Sequence, residues 1–427
     1  MNKIYQLTEG QKKAYRHFRN GHNIFVTGPA GTGKTFLINE FKKHCYSEKK
    51  RVGITALTGC AAYIIHGNTL HSWAGVGLGE DIVPNLVKKI KKNRFSSINW
   101  KYSKILIIDE ISMMSKELFD KLEEIARIIR KNNKMWGGLQ VCAFGDMCQL
   151  PPCNAKFCFE SEKWNDTFAQ VVTLNTIKRQ NNTEFCDCLN EIRFGKVTQK
   201  TKELLERCSK KIYDENNPIK PTRLFAYNNK VDRINKKEHS KLISEKTNFK
   251  CKTSVTSNDK TKFRNNINYV SQNMDKNMPY DIDLTLSIGA QVMLIINIDV
   301  KRGLTNGSRG VVVGFTSKSE TNKPIPIVRF IHGIKETIDF YQWKREEKDF
   351  IITKKQIPLK LAWAISIHKT QGSTLDLAEV DVKNIFEYGQ VYVALSRVKS
   401  SSSLYIKDYD VKKIKCHPKV LEFYKVK

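Results

Sequence analysis

Residues 28–35 read Gly28-Pro29-Ala30-Gly31-Thr32-Gly33-Lys34-Thr35. The stretch fits the pattern of a phosphate-binding loop, in which glycines let backbone N–H groups turn toward phosphate oxygens at a helix N-terminus. Residues 23–27 predict a strand before the loop, and residues 36–41 predict a helix after it. We expect all eight loop residues to contact a nucleoside triphosphate, with Lys34 on the β- and γ-phosphates and Thr35 holding Mg²⁺.

The composition narrows the choice of partner. A chain of 427 residues is long enough for two or three domains, and 40% hydrophobic residues can fill their cores. A net charge of +30 favours a polyanion, either nucleic acid or an anionic membrane surface. The sequence has no apolar run of about 18 residues and no signal or transit pattern in residues 1–10. We expect a soluble intracellular protein without membrane association; the compartment (nucleus, mitochondrion or cytoplasm) and a cellular or viral origin stay open.

Polar side chains follow two further apolar runs. Residues 105–108 are continuously apolar, as expected of a parallel strand buried on both faces, and they end in Asp109 and Glu110. Asp109 can bind the Mg²⁺ shell, and Glu110 can orient and deprotonate a water molecule. Residues 141–144 predict another strand, after which Gln149 can sense the γ-phosphate or its attacking water. Ligand groups at the ends of several parallel strands indicate a doubly wound nucleotide domain.

Two segments of the first half suggest contacts with bases. Gln11 opens a predicted helix just before the phosphate loop, and its amide can pair with N6 and N7 of adenine. Residues 58–79 combine hydroxyls, a histidine, an aromatic ring and glycines, which suits phosphate contacts and base stacking along a single strand. The candidates for contact with DNA in this segment are Thr58, Gly59, Thr69, His71 and Trp73.

The order of the motifs is more specific than any one of them. GPAGTGKT at 28–35, TGCAA at 58–62, DEISMM at 109–114 and GDMCQLPP at 145–152 together resemble the Pif1 family of superfamily 1B DNA helicases. Residues 174–180, 359–375 and 392–397 resemble motifs IV, V and VI of that family. Residues 120–140 resemble the signature segment of the Pif1 family, but they have Met135-Trp136 where the family usually has Pro-Phe. This departure leaves a RecD-like or phage-type relative as an alternative.

The resemblance implies an α/β fold of two RecA-like motor domains with a small inserted SH3-like β-barrel, the 2B domain. Residues 1–164 would form the first motor domain, with a 1B wedge near 66–80, and residues 165–236 and 355–427 the second. Residues 237–354 would form the 2B domain, in which residues 290–298, 309–315, 325–331 and 337–341 read as strands. Residues 236–280 are polar and show no sustained apolar periodicity, so we expect them to be irregular or mobile. We also expect a compact form without the long N-terminal extension of many relatives.

The resemblance also implies an activity: an ATP- and Mg²⁺-dependent helicase that translocates 5′ to 3′ on single-stranded DNA. Such enzymes unwind forked duplexes in replication, recombination, repair or telomere-type maintenance. Arg179 and Arg397 would stabilise the transition state from the second domain, with ATP lying in the cleft between the two motor domains. His368, Lys369 and Thr370 can donate to DNA phosphates, and Gly372 permits close backbone approach to phosphate.

Several properties stay open at this point. We expect a monomer in solution, but the resemblance does not fix the oligomer on DNA, the step size or the preferred DNA structure, whether fork, G-quadruplex or RNA–DNA hybrid. A DNA-stimulated ATPase that translocates without unwinding is one rival function, and a nucleotide-regulated binding protein that does not unwind is a second. A small-molecule kinase built on the same loop is another.

Overall fold

The computed structural model describes residues 7–180, 182–214, 217, 219–226, 228–257, 264–299, 301–317, 324–346 and 349–425. The chain divides into two compact units. The first comprises the described residues of Met1–Thr201, Phe386–Ser396 and Ile414–Lys427, and the second those of Lys202–Ile385 and Arg397–Lys413. Within the described ranges, no helix is long and apolar enough to cross a membrane.

The helices, in chain order, are α1 (Glu9–Arg19), α2 (Lys34–Ser47), α3 (Gly59–Ile64), α4 (Leu70–Ala74), α5 (Val83–Lys92), α6 (Arg94–Tyr102), α7 (Lys116–Arg130), α8 (Lys163–Thr167), α9 (Thr183–Arg193), α10 (Gln199–Ser209), α11 (Asn228–Ser240), α12 (Arg264–Asn277), α13 (Ile367–Thr370), α14 (Gln390–Leu395) and α15 (Pro418–Phe423). The strands are β1 (Ile24–Thr27), β2 (Val52–Ala56), β3 (Asn68–Thr69), β4 (Ile105–Asp109), β5 (Gln140–Phe144), β6 (Gln170–Thr173), β7 (Thr222–Phe225), β8 (Thr247–Lys250), β9 (Lys252–Ser257), β10 (Asp283–Leu286), β11 (Gln291–Leu294), β12 (Arg309–Ser317), β13 (Pro324–Phe330), β14 (Lys335–Thr337), β15 (Tyr341–Glu346), β16 (Phe350–Gln356), β17 (Leu359–Leu361), β18 (Ala364–Ser366), β19 (Ala378–Asp381) and β20 (Leu404–Asp408).

A six-stranded parallel sheet organises the first unit, with strand order β3-β2-β4-β5-β1-β6. Successive side chains of a strand point to opposite faces, and both faces of this sheet are covered. Phe25 and Leu106 pack in a core on one side, whereas Val26 and Ile107 pack in a core on the other. Burial on both faces explains why β1 and β4 are continuously apolar, and it confirms the doubly wound arrangement.

The second unit combines one parallel sheet with antiparallel ones. The parallel sheet has strand order β18-β7-β19-β20. A five-stranded antiparallel sheet of order β14-β13-β12-β11-β17 has its own buried core, which includes Val292, Leu294 and Phe330. Smaller antiparallel sheets, β15-β16-β9 and β10-β8, complete the described part of this unit. The strand expected at 337–341 is wrong for its middle, because residues 338–340 join the end of β14 to the start of β15.

The boundary expected after residue 164 differs from the observed units. Strand β6 pairs in parallel with β1, with Ile24 opposite Gln170 and Val26 opposite Val172. Val172 is buried in the core beneath that sheet. The sixth strand therefore extends the first sheet, and the compact first unit continues to Thr201 before the chain enters the second.

The expectation that residues 236–280 are irregular is wrong for most of that segment. It contains the end of α11, strands β8 and β9, and helix α12. Ile267, Val270 and Met274 are buried, and their spacing of three and four residues is the apolar stripe of a helix. The stripe is narrow and the rest of the helix is polar, so the polar composition of the whole segment did not indicate a helix.

Candidate functional site

The phosphate loop joins β1 to α2 at the carboxyl edge of the first sheet. Gly33 is the N-cap of α2 with φ of 84°, a left-handed conformation that glycine adopts without strain. A Cβ at this position would lie 2.7 Å from Nε2 of Gln11, so a larger residue would have to displace the Gln11 side chain. Thr32 is buried, and its hydroxyl donates to the Pro29 carbonyl at 2.9 Å. These contacts hold the loop in the turn that phosphate binding requires.

Lys34 lies at the centre of the charged groups. Its ammonium donates to the carbonyls of Gly28 at 2.6 Å and Pro29 at 3.0 Å, across the mouth of the loop. Burial lowers the pKa of Lys34, while the charges of Asp146, Glu110 and Asp109 act in the opposite direction. Lys34 is thus within range of the charges of carboxylates that follow β4 and β5, as expected of strands whose carboxyl ends share one edge.

Asp109 and Glu110 are both almost fully buried at the end of β4. The backbone N–H of Glu110 donates to Oδ1 of Asp109 at 2.9 Å, and Glu110 has a left-handed φ of 53°. Left-handed backbone at a non-glycine residue costs free energy and is common at functional sites. Burial, followed by the charge of Glu110, raises the pKa of Asp109 above its ordinary value. A divalent cation would offset this buried charge, and the carboxylate of Asp109 and hydroxyl of Thr35 are oxygen ligands of the kind that Mg²⁺ prefers.

The segment after β5 carries Gln149, which is almost fully buried. The N–H of Gly145 donates to the carbonyl of Val26 at 3.1 Å, so this segment begins beside the strand that leads into the phosphate loop. The segment therefore brings Gln149 to the same sheet edge as Lys34, as its sequence predicts.

Gln11 is fully buried against the phosphate loop. Its Oε1 accepts from the N–H of Thr8 at 3.0 Å in a capping box at the start of α1. Its Nε2 donates to the carbonyl of Thr32 at 3.4 Å. The expected adenine reader thus also has a structural role, because it caps α1 and ties that helix to the loop.

Arg179 belongs to the first unit, and not to the second unit as we expected. The N–H of Lys178 donates to the carbonyl of Gly31 at 2.8 Å, and a Cβ at Gly31 would lie 2.6 Å from Cβ of Arg179. The Arg179 guanidinium donates to the carbonyl of Ser396 at 3.2 Å. Motif IV is therefore packed directly on the phosphate loop. Its position follows from the pairing of β6 with β1, which carries the following residues back to the loop.

Tyr392 contacts the phosphate loop, and the sequence did not indicate this contact. It lies in α14, is 2% exposed, and its hydroxyl accepts from the backbone N–H of Ala30 at 2.8 Å. Burial raises the pKa of Tyr392, which keeps its hydroxyl neutral. The contact joins residues 362 positions apart, so no local pattern could have revealed it.

The DNA candidates of the first unit fall into two groups. Thr58 and Thr69 are partly exposed N-caps whose hydroxyls accept from backbone N–H groups of α3 and α4. Gly59 and His71 are also partly exposed, and burial lowers the pKa of His71. Trp73 differs, because it is 4% exposed and its ring lies in the core beside Trp100, with ring centroids 5.0 Å apart. The expected stacking of Trp73 on a DNA base therefore does not agree with this structure.

The second unit holds the remaining candidates. His368 and Lys369 are exposed, whereas Thr370 is fully buried and its hydroxyl donates to the carbonyl of Ile367 at 2.7 Å. Thr370 thus stabilises its own turn, and the expected donation from its hydroxyl to DNA does not agree with this geometry. Gly372 has a φ of 81° just after this turn. Arg397 is 1% exposed and donates to the carbonyls of Thr370 at 3.3 Å and Ser373 at 3.4 Å.

The family is decided by comparison with known proteins. The family profile described as PIF1-like helicase matches residues 6–203, and the profile described as DNA helicase Pif1, 2B domain matches residues 271–315. The ATP-dependent DNA helicase PIF1 of Xenopus laevis is 37% identical over 431 residues, which are 99% of this chain and 65% of that protein. The crystal structure of Pif1 helicase from Candida albicans is 36% identical with a TM-score of 0.77, covering 98% of this chain and 99% of that chain. The chain belongs to the Pif1-like helicase family.

Membership of the Pif1-like family confirms the resemblance that the motif order indicates, so the departure at Met135-Trp136 lies within the family. It also confirms the fold of two RecA-like motor domains with an inserted 2B domain. Pif1 helicase from Bacteroides in complex with ADP-AlF3 and single-stranded DNA is 28% identical with a TM-score of 0.62, covering 98% of this chain and 96% of that chain. The chain spans 65% of the length of the Xenopus relative.

Proposed function

We propose that this Pif1-like chain hydrolyses ATP at the carboxyl edge of the first sheet and uses the energy to translocate 5′ to 3′ on single-stranded DNA and unwind forked duplexes. The observation that carries this proposal is the phosphate loop with Lys34 at the edge of the sheet where β4 ends in the buried carboxylates of Asp109 and Glu110, whose charges act on Lys34. A cation between acidic groups at the end of parallel strands suits a polyphosphate bound with a divalent metal. The direction of movement rests on family membership alone.

Each residue of the site would have a distinct role in hydrolysis. Lys34 would bind the β- and γ-phosphates, and the backbone N–H groups of the loop would bind the remaining phosphate oxygens. Thr35 and Asp109 would hold Mg²⁺, which when bound neutralises phosphate charge. Glu110 would orient the attacking water and accept its proton, and Gln149 would sense the γ-phosphate.

DNA is the proposed polyanionic partner. The Bacteroides relative is described as bound to single-stranded DNA, and a net charge of +30 favours such a partner here too. His368 and Lys369 are exposed and able to donate to phosphates, and Thr58, Gly59, Thr69 and His71 are the remaining candidates for contact. We propose a monomer in solution, which size-exclusion chromatography with light scattering would test.

An unwinding assay with tailed duplexes tests the proposal. The wild-type chain should unwind a duplex with a 5′ single-stranded tail, require that tail, and lose activity at high salt as phosphate contacts are screened. Glu110→Gln should bind ATP and DNA but neither hydrolyse nor unwind, because an amide cannot accept the proton of water. Glu117→Gln is the matched control, since Glu117 is exposed in the first turn of α7.

Four other outcomes would overturn parts of the proposal. Preference for a 3′ tail would contradict the direction. DNA-stimulated phosphate release without unwinding would favour a translocating ATPase, and transfer of phosphate to an added acceptor would favour a kinase. Full turnover in Glu110→Gln would remove Glu110 from the catalytic role.

A further inference from the structure

The last described residues of the chain return to the nucleotide edge of the first unit. Helix α15 ends at Phe423, with Tyr424 as its C-cap, and Phe423 stacks on Phe159 with ring centroids 4.5 Å apart. Phe423 also meets Trp164 at 6.2 Å, against the core on one face of the first sheet. Aromatic packing therefore fixes the C-terminal helix, and it delivers the side chain of Tyr424 to the edge where β1 and β5 end.

The hydroxyl of Tyr424 joins two segments of the proposed ATP site. It lies 2.6 Å from Oγ1 of Thr27, the last residue of β1 and the immediate neighbour of Gly28 in the phosphate loop. It also accepts from the backbone N–H of Met147 at 3.2 Å. Met147 precedes Gln149 by two residues. A single hydroxyl thus connects the start of the phosphate loop with the segment that carries the proposed γ-phosphate sensor.

A buried ion pair holds the tyrosine ring in place. Arg193 donates to both carboxylate oxygens of Asp146, at 2.9 and 2.8 Å, and both residues are at least nine-tenths buried. Burial alone would raise the pKa of Asp146, but the charge and hydrogen bonds of Arg193 outweigh it and lower that pKa, so the pair stays ionised. The Arg193 guanidinium lies 5.2 Å from the centre of the Tyr424 ring. A bidentate pair on a ring face leaves the hydroxyl little freedom to move.

We propose that Tyr424 is a positioning residue for ATP hydrolysis, which fixes the phosphate loop relative to Gln149 through its bonds to Thr27 and Met147. The inference rests on the proposed function. The ring alone would satisfy the packing with Phe423 and Arg193, so packing does not require the hydroxyl. Thr27 and Met147 are both 1% exposed, and the hydroxyl supplies a polar partner to each. Small displacements of groups around a reacting phosphate reduce turnover steeply, because alignment contributes much of the rate.

The test compares four variants of the full chain with the wild type. Tyr424→Phe removes the hydroxyl and keeps the ring, Thr27→Val removes its partner, and the double variant closes a thermodynamic cycle. Tyr280→Phe is the matched control, because Tyr280 is a buried tyrosine of the second unit whose hydroxyl donates to Asp275 at 3.0 Å. The measurements are kcat and KM for ATP at saturating single-stranded DNA, the affinity for a fluorescent ADP, and the melting temperature.

We expect Tyr424→Phe to lower kcat by about 10-fold or more, with ADP affinity and melting temperature close to those of Tyr280→Phe. Thr27→Val should also lower kcat, and the double variant should be no slower than Tyr424→Phe alone, because Thr27→Val removes only one of the hydrogen bonds that Tyr424→Phe removes. If Tyr424→Phe does not fold, Thr27→Val alone decides the matter.

The outcomes separate this inference from the proposed function. Wild-type kcat in both single variants overturns the positioning role while leaving the proposed function standing, as does an equal loss of kcat in Tyr280→Phe. Independent losses that multiply in the double variant also overturn it. Absence of any phosphate release by the wild type would instead overturn the proposed function, and the inference with it.

Discussion

Arg179 and Arg397 were expected to have the same role in hydrolysis, but the two compact units bind their guanidinium groups in different ways. In the first unit, Arg179 is partly exposed beside the phosphate loop, and its guanidinium donates to the backbone carbonyl of Ser396. In the second unit, Arg397 is fully buried and donates to the carbonyls of Thr370 and Ser373 in motif V. Arg179 thus lies next to the phosphate loop of its own unit. Arg397 is bound to the backbone of the proposed DNA motif, which links motif VI to motif V.

The largest expected effect is the loss of turnover when either arginine is replaced, and stability should distinguish the two replacements. If both arginines stabilise the transition state as the family resemblance implies, Arg179→Ala and Arg397→Ala should each lower kcat on the order of 10³-fold. Only Arg397→Ala should also lower the melting temperature substantially, since it removes a fully buried side chain whose guanidinium donates to the carbonyls of Thr370 and Ser373. Steady-state phosphate release at saturating DNA, paired with thermal unfolding, measures both quantities.

Lysine variants are the control for the arginine pair, because a point charge lacks the planar fork and should restore kcat poorly at either position. Equal losses of stability in the two alanine variants would contradict the structural difference. Unchanged kcat in both would remove both residues from hydrolysis.

Much of the nucleotide edge could be predicted because its residues are tied to local patterns. A glycine-rich loop after an apolar strand, and carboxylates after another, occupy the same edge of any parallel sheet, so Lys34, Asp109 and Glu110 come together as expected. Arg193, Tyr392 and Tyr424 could not be found in this way. Their partners are far away in sequence, and their hydrogen bonds depend on how α9, α14 and α15 pack against the first sheet.

The second prediction concerns Trp73, a residue of the first unit that was expected to contact DNA but is buried. Trp73 packs in the core, and a Cβ at Gly53 would lie 2.6 Å from its ring. Trp73→Ala should therefore lower the free energy of unfolding by about 3–5 kcal/mol, the usual cost of removing a large buried aromatic side chain. The salt dependence of binding to single-stranded DNA should not change. Urea unfolding and DNA titrations at several salt concentrations check the two parts, and weaker DNA binding at full stability would restore the stacking role.

Trp73 and Thr370 show why the DNA contacts were harder to predict than the ATP site. An aromatic ring or a hydroxyl beside a glycine suits a nucleic acid, but it suits a protein core or a helix turn equally well. Only burial separates the two, and burial depends on neighbours such as Gly53 and Trp100 that are distant in sequence. Phosphate loops do not have this ambiguity, because their glycines specify a backbone path that few other structures use.

The smallest effect is expected from replacing Lys369, which is an exposed residue of the second unit next to the buried Thr370. A lysine that binds one DNA phosphate releases about one counterion, so Lys369→Ala should reduce the slope of log K against log salt by about 0.7 for single-stranded DNA. Affinity should fall only a few-fold at moderate salt and about equally for all sequences, since a phosphate contact does not read bases. Lys412→Ala, another exposed lysine of the second unit, is the control and should leave the slope unchanged. Identical slopes in the two variants would show that Lys369 is a solvated surface charge, and the proposed DNA contact of motif V would then rest on His368 and the backbone near Gly372.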